Sequence, residues 1–320
     1  MLTIHADGET HPLVWLHGMP IPGNVAWLDL CDPDATEVEA CEAIAKLKLP
    51  DRKDIAGVGL AGRNRSSERC VFLQISRFTD VEDGVSATPV SLVLTPKVLV
   101  TQRYASSPTF DIAAGEWHED QSHGGAANAF AELLETMTER TAQSMERIAG
   151  DVAKLSTHVF SERLTERQHL RRWLVYVGKL EARLARSRGT LLGITRIVVF
   201  MCEKQPEWLP DEPVSRLAMI RNDLDALDQF DEQLTEKLQF LLDAVLGMIS
   251  VNQNNVMKLF TVVSVVAVPP VLLAGIWGMN FKAMPELSQP WGYAMALGAI
   301  ALSVLIPLGI FKWRGWLSSD

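Results

Sequence analysis

The chain has 320 residues, an ordinary globular composition and a formal net charge of −9. That length has room for about two domains. The excess of acidic side chains argues against a nucleic-acid partner and fits a body that collects cations. Cys31, Cys41, Cys70 and Cys202 form no C-x-x-C pair, so we expect reduced thiols in a cytosolic environment.

Residues 1–123 predict a mixed α/β domain. Four short runs are rich in β-prone residues and are separated by turn residues: VAWLDL, CVFLQI, VSLVLT and VLVTQRY. After the first run, Asp32-Pro33 has the chemistry of a helix N-cap followed by proline at the first helical position. A helix is therefore expected to begin at Pro33.

Helical spacing replaces the strand pattern from Gly125 onward. Apolar residues recur at helical intervals from Phe130 to Val159 with charges between them. A second helix is expected from Ser161 to about Glu203, and the proline-rich segment KQPEWLPDEP ends the pattern. Residues 124–212 are thus expected to form a cytoplasmic helical hairpin.

A long stalk helix is predicted over residues 213–258, because no proline occurs between Pro213 and Pro269. Its apolar residues alternate by threes and fours like a coiled-coil seam, which indicates packing against copies of itself or neighbouring helices. Asp231 takes the place of one apolar residue in this seam. The seam consists of Leu217, Ile220, Leu224, Leu227, Leu234, Leu238, Leu241, Val245 and Met248.

Two charge-free stretches near the C-terminus, Leu259–Phe281 and Ser288–Phe311, predict membrane spans. As a helix, Leu259–Trp277 would be ~28 Å long, and the hydrocarbon core of a bilayer is ~30 Å thick. The alternative is a buried helical hairpin in a soluble protein. The predicted segments are a first span at 259–280, an outer loop at 281–290, a second span at 291–311 and a basic tail at 312–320.

Basic residues indicate the orientation of these spans. Lys258, Lys312 and Arg314 flank the outer ends of the pair, whereas only Lys282 lies in the connecting loop. The positive-inside bias then places both termini in the cytoplasm and the loop outside. The N-terminus MLTIHADGET has no basic n-region and no apolar h-region, so no cleaved signal is expected. We therefore expect a multi-pass protein of a bacterial-type inner membrane.

Two further motifs are less specific. GVGLAG at 57–62 matches the dinucleotide-binding pattern but lacks a clear preceding strand, which favours a flexible loop. EWHEDQSH at 116–123 gathers residues that zinc accepts as ligands, although a polar loop before a helix start is the simpler interpretation. No Walker A, G-x-S-x-G or H-E-x-x-H motif is present, so nothing in the sequence indicates an enzyme.

The tripeptide Gly278-Met279-Asn280 ends the first predicted span. A helix C-terminus carries about half a negative charge on its free carbonyls, and Gly278 is expected in the left-handed conformation that ends such a helix. Several copies around an axis would focus these dipoles on an outer mouth, where Asn280 adds amide oxygens. This chemistry suits hydrated Mg²⁺, which gives up its waters reluctantly.

Three C-terminal features together resemble the CorA family of divalent cation channels: this tripeptide, the following Met284-Pro285-Glu286-Leu287 and the basic tail FKWRGWL. The resemblance implies an α+β membrane protein with a cytoplasmic α/β domain, a helical stalk and two C-terminal transmembrane helices. It also implies a funnel-shaped homopentamer whose first spans line the pore, and Mg²⁺ as the usual substrate, with Co²⁺ and Ni²⁺ often tolerated. The related ZntB zinc transporters share the fold with a variant tripeptide. The expected selectivity mouth contains Gly278, Met279, Asn280 and Glu286.

One face of the stalk and first span is small, polar or modest in size. We expect this face to line the pore; an interface between membrane helices, which also favours small residues, is the alternative. By the resemblance, Asp243 and Asn254 fall on pore rings, and Phe260 falls on a constriction that is usually aliphatic. Lys282 departs from the family as well, because the residue there is often acidic. The pore-lining candidates are Asp243, Gly247, Ser250, Asn254, Met257, Phe260, Thr261, Ser264, Val268, Val271 and Gly275.

The family's regulatory metal site does not transfer to this chain, because the stalk position expected for its acid is Met219. Asp223, Asp228 and Asp231 are the candidate ligands that the stalk offers instead. Asp231 is distinct because an unpaired charge on an apolar seam is costly. It needs a basic partner or a metal ion, and both alternatives stay open at this point.

The sequence therefore predicts a passive, homopentameric Mg²⁺ channel that is gated by cytoplasmic divalent cations. One alternative is a Zn²⁺ transporter on the same scaffold. The other is a membrane-anchored sensor or scaffold that conducts nothing, although that class does not explain the polar stripe or Asn280.

Overall fold

The computed structural model of the chain describes residues 1–52, 64–81, 84–119, 124–161, 167–279 and 290–316. The chain divides into two compact units. The first unit consists of Met1–Ser161 and Leu174–Leu241, and the second consists of Glu162–Trp173 and Leu242–Asp320. The GVGLAG motif lies outside the described residues, as do Asn280, Lys282 and Glu286.

A seven-stranded mixed sheet forms the N-terminal part of the first unit, with the strand order β2-β1-β3-β7-β6-β5-β4. Strands β3 and β7 are parallel, and the other neighbouring pairs are antiparallel. The four β-prone runs form β3, β5, β6 and β7, so these predictions are confirmed. The strands are β1 Leu2–Ala6, β2 Leu13–Val14, β3 Val25–Cys31, β4 Arg65–Ser66, β5 Val71–Val81, β6 Gly84–Leu94 and β7 Leu99–Arg103.

Helix α1, Ala35–Ala45, begins two residues later than the sequence predicts. Asp34 is the N-cap: its carboxylate accepts a hydrogen bond from the Glu37 amide at 2.8 Å. The Glu37 carboxylate accepts in turn from the Asp34 amide at 3.0 Å. Because this reciprocal capping box satisfies two backbone donors at once, the predicted start at Pro33 was wrong.

Three helices follow the sheet: α2 Pro108–Glu119, α3 Ala126–Val159 and α4 Arg167–Lys204. Helix α2 packs on α3, and α3 contacts β3, β6 and β7. Trp27, Phe110 and Phe130 are fully buried there and form much of the core. The polar loop predicted at 116–123 was wrong for residues 116–119, which belong to α2; residues 120–123 lie outside the described part.

Helix α5, Asp211–Trp277, joins the predicted stalk and first span in one element of 67 residues, about 100 Å long. Seven residues of the predicted seam are at most 3% exposed within a single chain, and Leu227 and Met248 are half-buried. The seam therefore packs against neighbouring helices, as predicted. The seven buried residues of the seam are Leu217, Ile220, Leu224, Leu234, Leu238, Leu241 and Val245.

Helix α6, Gly292–Trp313, covers the second predicted span. By length and composition, α5 and α6 are each long and apolar enough to cross a membrane, and their apolar windows are not buried inside the chain. A soluble core helix would bury such a window. The fold class predicted from the sequence, an α/β domain followed by a long helix and two C-terminal apolar helical segments, is confirmed.

Candidate ion-conduction path

All of the pore-lining candidates are solvent-exposed along α5, from Asp243 to Gly275. Apart from Phe260, which directly precedes Thr261, the candidates follow alternating intervals of four and three residues and therefore lie in one row on one face of the helix. Val271 is 71% exposed and Phe260 is 63% exposed. The structure therefore brings the predicted stripe together and leaves it without cover in a single chain.

The opposite face of α5 is half-buried at Val262, Val266, Leu273 and Trp277. Val266 lies two residues beyond Ser264, which turns it about 200° around the helix axis. Helix α6 has a matching half-buried row at helical spacing, which indicates that the two apolar segments cover one face of each other. That row comprises Gly292, Ala296, Ala299, Ser303, Pro307 and Phe311. The polar stripe of α5 consequently faces away from the covered side.

Hydroxyl groups on the stripe donate to their own helix. Ser250 donates to the Leu246 carbonyl at 3.1 Å, and Thr261 donates to the Met257 carbonyl at 2.8 Å. A hydroxyl that has given its proton to the backbone keeps its oxygen lone pairs as acceptors. These oxygens can accept hydrogen bonds from the water shell of a hydrated cation.

The apolar segment of α5 contains Pro269 and Pro270 without interruption of the helix. Proline has no amide hydrogen, so the carbonyls of Val265 and Val266 receive no bond from residues four positions later. Polar backbone groups are expensive in hydrocarbon unless water or protein satisfies them. The proline pair thus adds two carbonyl oxygens to the middle of an otherwise apolar segment.

The C-terminal end of α5 differs from the prediction at Gly278. Its backbone amide donates to the Ala274 carbonyl at 3.0 Å, continuing the helical pattern, and Met279 donates to the Ile276 carbonyl at 3.3 Å. Gly278 does not have a positive φ, so the prediction of a left-handed conformation at this residue was wrong. A methyl group at this position would instead lie 3.1 Å from the Ala274 carbonyl oxygen. Asn280 and Glu286 lie outside the described residues, and their place at a selectivity mouth stays a prediction.

Asp231, the charged residue on the apolar seam, is only 2% exposed and forms an ion pair with Arg188 of α4. Arg188 also donates to the Thr235 hydroxyl at 2.6 Å. Burial raises the pKa of Asp231, and the hydrogen bond from Arg188 opposes that rise. Of the two alternatives that the sequence left open, the structure shows the basic partner.

The other candidate metal ligands, Asp223 and Asp228, are exposed on α5. No group of three or more His, Cys, Asp or Glu side chains is arranged to hold a metal ion within the described parts of the chain. In EWHEDQSH, the His118 ring is buried and contacts His5 through nitrogens 3.0 Å apart. Within the described residues, Asp223 and Asp228 thus belong to no such group.

Sequence reasoning missed Arg216, which holds the first part of α5 against α3. Arg216 donates to Glu132 at 2.5 Å and to Glu135 at 2.9 Å, and both carboxylates lie on α3. These hydrogen bonds raise the pKa of Arg216 above its usual range. The i, i+3 spacing of the two glutamates places them on one helix face, but nothing local identifies Arg216 as their partner, more than 80 residues away.

The family model of CorA-like Mg²⁺ transporter proteins matches residues 23–312. The chain belongs to this family. A curated relative, the magnesium transport protein CorA of Pasteurella multocida, is 29% identical over 296 residues, which cover 92% of each chain. The match therefore includes both the α/β domain and the two apolar segments.

Solved structures show the same fold at lower sequence identity. The complete CorA magnesium transporter of Methanocaldococcus jannaschii matches with a TM-score of 0.78 and 16% identity over 99% of both chains. The ZntB cytoplasmic domain of Vibrio parahaemolyticus matches with a TM-score of 0.52 and 12% identity, covering 79% of this chain and 97% of that domain. The first match extends through both C-terminal helices, so the whole architecture is that of a CorA-family protein.

Proposed function

We propose that the chain forms a homopentameric, passive Mg²⁺ channel for uptake across the bacterial-type inner membrane, with both termini in the cytoplasm. The observation that carries this proposal is the exposed stripe from Asp243 to Gly275 on the face of α5 opposite its covered side. A row of hydroxyl, amide and small side chains exposed to lipid would have no favourable partner. Around a shared axis, the same rows line a water-filled path.

Several copies are needed because one helix face cannot enclose a channel. Apolar side chains beside the stripe, such as Leu272 at 62% and Val263 at 54% exposure, are uncovered in a single chain and are available to neighbouring copies or lipid. The family resemblance supports a pentamer as the closed ring.

The chemistry of the stripe favours a hydrated hard cation. Mg²⁺ keeps its water shell because it dehydrates reluctantly, and neutral oxygens hold that shell without trapping the ion. Ser250, Asn254, Thr261 and Ser264 supply such oxygens. Asp243 adds a carboxylate at the far end from Gly278, where a ring of carboxylates would concentrate cations. Co²⁺ and Ni²⁺, which accept similar shells, are expected to pass to a smaller extent.

We assign the gate to two bulky residues, Met257 in the row and Phe260 beside it. Met257 and Phe260 each expose 63% of their surface. A ring of these apolar side chains, one set from each copy, would exclude water from a narrow path and so close it to ions. Gating by cytoplasmic divalent cations would act on the spacing between stalks. Asp223 and Asp228 are exposed and therefore available for a cation shared between copies, whereas the carboxylate of Asp231 already pairs with Arg188.

A Zn²⁺ transporter is the second candidate, favoured by the match to the ZntB cytoplasmic domain. That match concerns the fold alone. The stripe contains neither histidine nor cysteine, the ligands that zinc prefers. Mg²⁺ is therefore the better substrate for this row of oxygens.

Ion flux into proteoliposomes that contain the purified full-length protein tests these candidates directly. We expect Mg²⁺ entry that follows the membrane potential without a pH gradient, and slower entry of Co²⁺ and Ni²⁺. Fast Zn²⁺ entry without Mg²⁺ entry would establish the zinc transporter. Absence of flux for every cation, relative to protein-free liposomes, would leave the non-conducting scaffold.

A further inference from the structure

A cavity of about 280 Å³ opens between α3, α4 and the first turn of α2, inside the first compact unit. Four arginines line it: Arg140 and Arg147 from α3, and Arg183 and Arg186 from α4. Five serine or threonine residues complete its polar wall, and neither aspartate nor glutamate is among the lining residues. We call this space the arginine cavity. The conduction path described above does not use it.

The arginines converge because of their spacing on two helices. Arg140 and Arg147 are seven residues apart on α3, and Arg183 and Arg186 are three residues apart on α4, so each pair shares a helix face. The hydroxyl groups of Ser144 and Ser187 lie 3.2 Å apart across the two helices. The two helix faces thus meet at a point where guanidinium and hydroxyl donors surround one volume.

Two of these four arginines, Arg140 and Arg147, carry the part of the positive charge that no ion pair balances within the described residues. Arg183 donates to Asp151 at 2.7 Å. Arg140 and Arg147 form no ion pair with any residue in the described ranges. The chain as a whole carries a net charge of −9, so a cavity wall with four arginines and no acid differs from the overall acidic composition. Like charges held together cost free energy unless an anion lies between them.

We infer that the arginine cavity binds an oligophosphate anion, as inorganic pyrophosphate or as the phosphate chain of a nucleotide. Guanidinium groups match phosphate oxygens in bidentate geometry, and serine and threonine hydroxyls add donors to the same oxygens. Ligand pockets begin at about 300 Å³, so this cavity accepts a compact anion rather than a large organic body.

Isothermal titration of the full-length protein in detergent, without Mg²⁺, tests this site. The probes are pyrophosphate, ATP, inorganic phosphate and, as a carboxylate comparison, citrate. We expect saturable pyrophosphate binding at one site per chain. The double variant Arg140→Gln/Arg147→Gln should bind pyrophosphate at least about tenfold more weakly. Arg196→Gln is the matched control, because Arg196 is exposed on α4 outside the cavity.

Size-exclusion chromatography accompanies each titration to show that assembly is intact. If the double variant does not assemble, Arg147→Gln alone provides the measurement, because the Arg147 side chain is exposed. Tighter binding of ATP than of pyrophosphate would identify a nucleotide as the source of the phosphate chain, and equal binding would identify a free oligophosphate. The inference is overturned if no probe saturates, if citrate binds as tightly as pyrophosphate, or if the arginine variants bind like the control. None of these outcomes depends on Mg²⁺ flux, so they are independent of the channel proposal.

Discussion

Arg188 of α4 and Asp231 of α5 form an ion pair whose two members differ sharply in exposure: the arginine side chain is 42% exposed and the aspartate side chain is 2% exposed. Removing the arginine and removing the aspartate therefore have different consequences for stability. An arginine that loses its carboxylate can turn to water, whereas a buried aspartate that loses its guanidinium cannot. One oxygen of Asp231 already has no hydrogen-bond partner in the described part of the chain.

This asymmetry predicts unequal effects of two leucine substitutions on stability. Arg188→Leu should reduce the free energy of unfolding by about 3 kcal/mol near neutral pH, because it leaves a buried charge without a partner. Asp231→Leu should be within about 1 kcal/mol of the wild type or more stable, because leucine completes the apolar seam. Thermal melting of the detergent-solubilised protein measures both. Equal losses in the two variants would contradict the assignment.

The pH dependence of Arg188→Leu provides its own check. Without the guanidinium, burial raises the pKa of Asp231 further, so protonation favours the folded state. The destabilisation should then be largest above the raised folded-state pKa and should shrink as the pH falls through that pKa toward the ordinary range of a carboxyl group. Because Asp231 has a basic partner, we also expect added Mg²⁺ to shift the melting curves of wild type and Asp231→Leu equally. A smaller shift in Asp231→Leu would restore Asp231 as a metal ligand.

Cysteine accessibility distinguishes the proposed pore face from the covered face. In a background without the four native cysteines, Ser264→Cys should react with a water-soluble thiol reagent and lose Mg²⁺ uptake on modification. Val266→Cys is the matched control, since Val266 is half-buried on the opposite face. Block of uptake at 266 and not at 264 would place the path on the wrong side of α5.

Asp243 should affect conduction through its charge rather than through folding. Asp243→Asn is expected to lower Mg²⁺ flux several-fold in proteoliposomes, because a neutral ring no longer concentrates cations. Asp243→Glu keeps the charge and should keep most of the flux. Loss of the oligomer in Asp243→Asn, seen by size-exclusion chromatography, would show that the residue is structural.

The outer mouth is tested at Asn280, whose amide oxygen is predicted to hold the water shell of the entering ion. Asn280→Ala should abolish Mg²⁺ uptake while the protein still assembles. Asn252→Ala serves as the control on the half-buried face of α5. Uptake at the wild-type rate by Asn280→Ala would end the proposed role of this amide.

A buried histidine pair predicts acid sensitivity of the α/β domain. Burial, as the main cause, lowers the pKa of His5 from 6.5 to about 4, and His118 and Arg103 lower it further while Asp29 opposes. The neutral folded form is thus fully stabilising above pH 6.5 and loses up to about 3 kcal/mol as the pH falls toward 4. His5→Asn should make the melting temperature less dependent on pH between pH 6.5 and 4. His158→Asn, on an exposed part of α3, should not.

Local patterns were sufficient for most of the helices and for the stripe. Helix length, the seam from Leu217 to Met248 and the row from Asp243 to Gly275 depend on the 3.6-residue repeat, which neighbouring residues express directly. A charge-free segment as long as the bilayer core is likewise a property of consecutive residues. The family resemblance depended on short motifs in the same region, and the match to residues 23–312 confirms it.

Contacts between distant residues required the folded chain. The ion pair of Asp231 was invisible in the sequence because Arg188 lies 43 positions away on another helix, and several other basic residues were equally eligible. The arginine cavity arises in the same way, from two helix faces that meet only after α3 and α4 pack. At Gly278 and at the start of α1, residue type allowed more than one backbone conformation, and hydrogen bonds to Ala274 and from Glu37 selected between them. Periodicity specifies which face a residue occupies, whereas packing specifies which side chain it meets there.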